Sequence, residues 1–91
     1  MATTYDPPLN SHYRHFKCPD NWAGNMDKIV GKAGRNLIWA TERSGVKYVW
    51  HDRDNDRIEI WGPHARLIAA EKRIRRIGDL KANEQHQNNR A

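Results

Sequence analysis

Gly31 and Gly34 enclose Lys32 and Ala33 between two stretches of helical periodicity. Glycine loses more backbone freedom on folding than any other residue, so a pair at this spacing marks a turn that needs it. It also leaves no Cβ in the way of a close visitor. A helix starts at once at Arg35, and the first N–H groups of a helix lack intrahelical partners and carry the positive end of its dipole. Lys32 and Arg35 add two positive charges beside them. Together these features make an anion site whose natural occupant is a phosphate.

Other chemistry-bearing residues fail on spacing. Asp52, Asp54 and Asp56 imitate the start of a calcium loop, but Arg57 stands where glycine is required and Pro63 where the closing glutamate belongs. Those aspartates are expected to initiate a turn. His12, His15 and Cys18 fall on one predicted strand, where alternate residues face opposite sides, so they do not assemble a zinc site. Cys18 precedes proline in an inward position with no organised base, and reads as core rather than nucleophile. The segment from Gly24 to Lys32 is no P-loop, because the glycine spacing is wrong and Ala33 replaces the magnesium-holding hydroxyl. The expectation is a non-enzymatic chain with no metal and no cofactor.

The elements that must position the glycine loop follow from periodicity. Residues 13–18 are short, contain aromatics and stop at Pro19, as a strand does. Trp22, Met26, Ile29 and Val30 predict a helix from Asp20 to Val30, broken by the glycine loop. A second helix runs from Arg35 to about Arg43, with Ser44-Gly45 as its stop. Residues 46–51 and 57–61 alternate around the turn residues 52–56, predicting an antiparallel hairpin. Here Trp50 is assigned to the helix-covered face and Val49 to the open one. Leu67, Ala70, Ile74 and Ile77 define a last helix that Gly78 closes. The fold class is therefore α+β, in the order β-α-α-β-β-α, with a three-stranded antiparallel sheet covered on one face by three helices.

This ordered pattern resembles a type I KH domain across residues 13–77. Ile29-Val30-Gly31-Lys32-Ala33-Gly34, followed by Leu37 and Ala40, is similar to that family's helix-GxxG-helix signature. Ser44 to Trp50, and Ile58 to Gly62 with Leu67, Ala70 and Ile74, resemble its later strands and last helix. The resemblance implies a module that clamps four nucleotides of single-stranded RNA or DNA, RNA in preference. It assigns backbone contact to Gly31, Lys32, Ala33 and Gly34, the groove floor to Val30 and Leu37, and the facing strand position to Trp50. It also implies a basic residue near the base edges, a role that falls to Arg57, with Arg53 as the alternative. Alternation from Ile58 and Ile60, however, sets Arg57 on the other sheet face. Relative to the family the segment from Pro19 to Gly31 is long, and Trp50 is bulkier than the usual aliphatic residue.

Charge and composition agree with a polyanion partner without identifying one. The chain has 91 residues, a net charge of +5 and one cysteine, which bounds it to one small domain with no internal disulfide. Residues 1–11 are expected to be a flexible arm, 12–78 the domain, and 79–91 a polar tail. Fourteen basic and eight acidic side chains fall in the domain, so the charge belongs to the folded part. There is no apolar run of membrane-spanning length, and the start lacks the charged and apolar regions of a secretion signal. A soluble, intracellular protein with no membrane partner is expected. One clamp carries limited affinity, which implies a second copy in an oligomer or larger assembly. The competing reading is a protein-interaction or structural module that binds nucleic acid nonspecifically or not at all. It rests on Ile38, Trp39, Trp50 and Trp61. The basic last helix, with Arg66, Lys72, Arg73, Arg75 and Arg76, is expected to be a solvated face or a second phosphate patch.

Overall fold

Ile58 and Ile60 sit at the centre of the molecule because their strand is the middle one of the sheet. The computed structural model describes residues 5–88. Strand β1 (His12–Lys17) leads through a 3-10 turn at Asp20–Trp22 to helix α1 (Met26–Val30). The glycine loop and helix α2 (Arg35–Ser44) follow, then strands β2 (Tyr48–Asp52) and β3 (Arg57–Gly62), and helix α3 (His64–Asn88). The strands are antiparallel in the order β1-β3-β2, so the α+β class with a three-stranded antiparallel sheet is observed. No described helix is long and apolar enough to cross a membrane.

Register decides the two faces. Phe16 opposes Ile58, and Val49 opposes Ile60, all buried beneath the helices. Val49 therefore belongs to the core, and Tyr48 and Trp50 to the other face, the reverse of the expectation from alternation in 46–51. Val46 misled that count. It precedes the strand and is buried by a separate close crossing, where a Cβ at Gly62 would lie 2.8 Å from its Cα and Cβ. The open face is not bare. Tyr5 lies edge-on to Tyr48, Trp50 and Trp61, and the Asp6 amide donates to the Tyr48 hydroxyl at 2.9 Å. Trp61 is buried and Glu59 only 3% exposed in consequence. That buried carboxylate accepts from the Tyr13 hydroxyl and from Arg57 at 2.9 Å, the pairing a buried charge requires. Burial and the bond to Glu59 push the Tyr13 phenol up to about 12.

The first helix is shorter than expected and split. Gly24 at φ +81 interrupts it, leaving a 3-10 turn that carries Trp22 and a five-residue α1. Gly78 does not end the last helix. It lies inside α3, where an added Cβ would fall 2.0 Å from the Trp22 ring. The glycine is there for close approach. Trp22 is fully buried, meets Phe16 edge-on, and its indole N–H donates to Asp79 at 2.9 Å. Residues 79–88 continue the helix rather than forming a loose tail, and Ala82 packs against the core. On the same helix Glu71 accepts from Arg14 and Arg75. Partial burial works against its ionised form, but those two guanidiniums outweigh it and hold the carboxyl below its ordinary range.

Gly78→Ala tests this packing because two effects have opposite signs. Helix propensity favours alanine by about 1 kcal/mol, whereas overpacking against a fixed ring typically costs about 1–3 kcal/mol. The ring is buried and cannot swing away, so urea denaturation is expected to show a net loss of stability.

Candidate nucleic-acid interface

The glycine loop is built from backbone conformations that side chains resist. Gly31 sits at φ 83, ψ 162, a region open in practice only to glycine. Gly34 is left-handed at φ 75, and Ala33 is left-handed at φ 56. The loop is braced on its inner side. The Asn36 side-chain amide donates to the Lys28 and Ile29 carbonyls at 3.0 and 3.2 Å, which satisfies the end of α1 from the start of α2. A Cβ at Gly31 would press on Asn36 at 3.0 Å.

No side chain caps α2, whose N-cap residue is Gly34. At the junction the Gly34 N–H donates to the Gly31 carbonyl at 2.9 Å and the Arg35 N–H to the Lys32 carbonyl, with Lys32 and Arg35 exposed beside them. This loop forms one end of an open cleft of about 970 Å³. Met26, Asp27 and Val30 of α1 make one wall. Trp50, His51 and Asp52, with Arg53 and Asp54 of the hairpin, make the other.

The expected site residues separate into groups. Val30, Gly31, Lys32, Ala33, Gly34 and Trp50 line the cleft together. Arg35 stands exposed at the first turn of α2, next to the loop. Leu37 is 1% exposed and belongs to the core cluster. Arg57 faces away, ion-paired with Glu59 and Asp52 on the opposite sheet face. Trp50 borders the cleft as part of an edge strand. Its ring, however, is stacked on Tyr48 at 6.2 Å between centroids and meets Tyr5 at 5.1 Å. The helix-facing residue at that point of β2 is His51, paired across the sheet with Ile58. Burial and the nearby Arg53 charge lower its pKa, so the neutral imidazole is favoured.

Sequence reasoning did not assign Met26, Asp27, His51, Asp52 or Asp54 to the site, whereas Arg53, the alternative to Arg57 for the basic position, does line the cleft. The signal was present in the turn residues that follow Trp50, since a hairpin next to an edge strand must extend the wall that strand forms. The cleft lining is of mixed charge: Lys32 and Arg53 are cationic and Asp27, Asp52 and Asp54 anionic, with Asp52 itself paired to Arg57. Asp52 is held ionised chiefly by the Asn55 side-chain amide, which donates at 2.8 Å. Burial and Asp56 push the Cys18 thiol up to about 11, which leaves it un-ionised and a poor nucleophile.

Outside the cleft, Trp39 is exposed with Arg43 and Arg73 over its ring at 5.5 and 5.7 Å. Arg66, Lys72, Arg73 and Arg76 on α3 are solvated.

Two glycine substitutions differ in both strain and collision. Gly24→Ala meets nothing within 4 Å and bears only the strain of its positive φ of 81, about 1–2 kcal/mol. Gly31→Ala adds the contact with Asn36 and a backbone region, φ 83 and ψ 162, that alanine resists more strongly, so its urea midpoint is expected to fall further than that of Gly24→Ala. The chain matches no family model, no curated protein and no solved structure.

Proposed function

We propose that this protein is a non-enzymatic, single-stranded nucleic-acid-binding module of the type I KH kind, with RNA its preferred ligand. One observation carries the reading: the start of α2, which no side chain caps, and the glycine loop, flanked by Lys32 and Arg35, border an open cleft. A phosphodiester would accept from the loop and helix amides, and the two cations would offset its charge. The bases would then extend along Val30 and Met26 toward the hairpin, with Asp54 and Asp27 available to accept from amino groups. The element order and the central position of β3 support this reading. Trp50 contributes to the wall through its place on the edge strand rather than as a stacking platform, and Arg57 supports the sheet. A single clamp has modest affinity, so engagement would be multivalent, through a second copy or a larger assembly.

A second reading has its own observation. The aromatic cluster of Tyr5, Tyr48, Trp50 and Trp61 concentrates large side chains on the sheet face away from the cleft, as an interaction module would. In that reading the partner is a protein and the cleft is incidental.

The Lys32→Asp/Ala33→Asp double variant distinguishes them. Aspartate tolerates the left-handed backbone at position 33 better than most residues, so the fold is expected to survive, as circular dichroism can check. Binding of randomised single-stranded RNA and DNA, measured at two salt concentrations, should weaken at least about tenfold, equivalent to ~1.4 kcal/mol. Unchanged binding with a steep salt dependence would move the phosphates to the basic face of α3. Failure of the native protein to bind either nucleic acid would leave the protein-interaction reading.

A further inference from the structure

Three side chains of different chemistry converge at the hairpin end of the sheet, on its helix-covered face. Phe16 and Ile58 are cross-strand partners in the core. Just past the end of β1 and just before β3, Cys18 and Asp56 stand opposite each other, joined by the Cys18 amide donating to the Asp56 carbonyl at 2.9 Å. His51 is the partner of Ile58 on the other side of β3 and shares its face. The Cys18 sulfur, an imidazole nitrogen of His51 and a carboxylate oxygen of Asp56 all lie within 4.8 Å of one another.

These residues come from three separate stretches of chain, and different features hold each in place. Cys18 is 3% exposed and anchored by the core. His51 is fixed by the β2–β3 ladder. Asp56 adopts φ 52 at the end of the turn, a left-handed conformation that aspartate accepts more readily than most residues. We propose that Cys18, His51 and Asp56 form a binding site for a divalent transition-metal ion of the zinc class, with a fourth position left for water or an incoming ligand.

The donor set selects the metal. Thiolate and imidazole are ligands for zinc and its neighbours, whereas magnesium and calcium take oxygen donors. Zinc bond lengths of about 2.0–2.3 Å separate tetrahedral ligand atoms by roughly 3.2–3.8 Å. Side-chain rotations that move each atom by less than about 1 Å close the observed spacing to that range. Charge also balances. As the metal–sulfur bond forms, the Cys18 thiol releases its proton to solvent, so thiolate and carboxylate together neutralise the dication while His51 stays neutral. The consequence for the fold is a clip joining the exit of β1 to both strands of the hairpin. Because His51 and the hairpin also form a wall of the cleft, an occupied site would stiffen that wall.

Reduced, metal-free full-length protein titrated with Co²⁺ tests this directly. The expected result is about one ion per chain, with the d–d bands of a four-coordinate site and a near-ultraviolet thiolate-to-metal charge-transfer band. Zn²⁺ should then displace the cobalt and raise the melting temperature. Cys18→Ser should abolish the charge-transfer band. Asp56→Asn, at an exposed position whose backbone asparagine also tolerates, should keep the fold and weaken binding by at least about tenfold. Absence of stoichiometric binding, or binding without the charge-transfer band, would overturn the proposal. So would affinity unchanged in Asp56→Asn. Binding lost in His64→Ala would place the ion on the exposed His12–His64 pair, whose rings are 5.3 Å apart, and would equally overturn it.

Discussion

The contact between Trp22 and Gly78 is the constraint on which the arrangement depends. A fully buried indole needs space for its rings and a partner for its N–H. The missing side chain of Gly78 supplies the space, and Asp79 supplies the acceptor. The 3-10 turn before α1 is thereby pinned to α3, and Phe16 closes the contact from the sheet. Because α1 is only five residues long, it has little intrinsic tendency to form. Its position, and that of the glycine loop attached to its end, comes from this packing.

The glycine loop and the hairpin divide the labour of the cleft. At the loop, left-handed backbone and the Asn36 brace turn the start of α2 outward with its donors unpaired by any side-chain cap. At the hairpin, turn chemistry sets carboxylates on the facing wall. The opposite sheet face is organised differently, around a buried Glu59 carboxylate that Tyr13 and Arg57 pair and that Tyr5 helps to cover. Arg57 is thus tied to sheet integrity and has no access to the cleft.

Much of this was legible in the residue pattern. The strand, loop and helix order followed from Pro19, the two loop glycines, Ser44-Gly45 and the Asp-rich turn, because each breaks periodicity for a local reason. The basic glycine loop was equally local. Leu37 was harder, because helical spacing places it on an apolar face without saying whether that face meets solvent or core. Trp50 shows the same limit on a strand. Alternation counted from Val46 put it on the helix-covered side, but the ladder with β3 puts Val49 there.

The sequence by itself determined the element types, the breaks between them and the basic glycine loop, since these depend on neighbours along the chain. Tertiary structure decided what depends on partners far apart in sequence. It made Gly78 a packing site instead of a helix end, because Trp22 occupies the space its side chain would need. It carried the last helix past residue 79, where Asp79 and Ala82 still contact the fold. It also brought the donor atoms of Cys18, His51 and Asp56 within 4.8 Å of one another. That last juxtaposition has no signature in residue spacing, because it exists only once the register of three strands has been set.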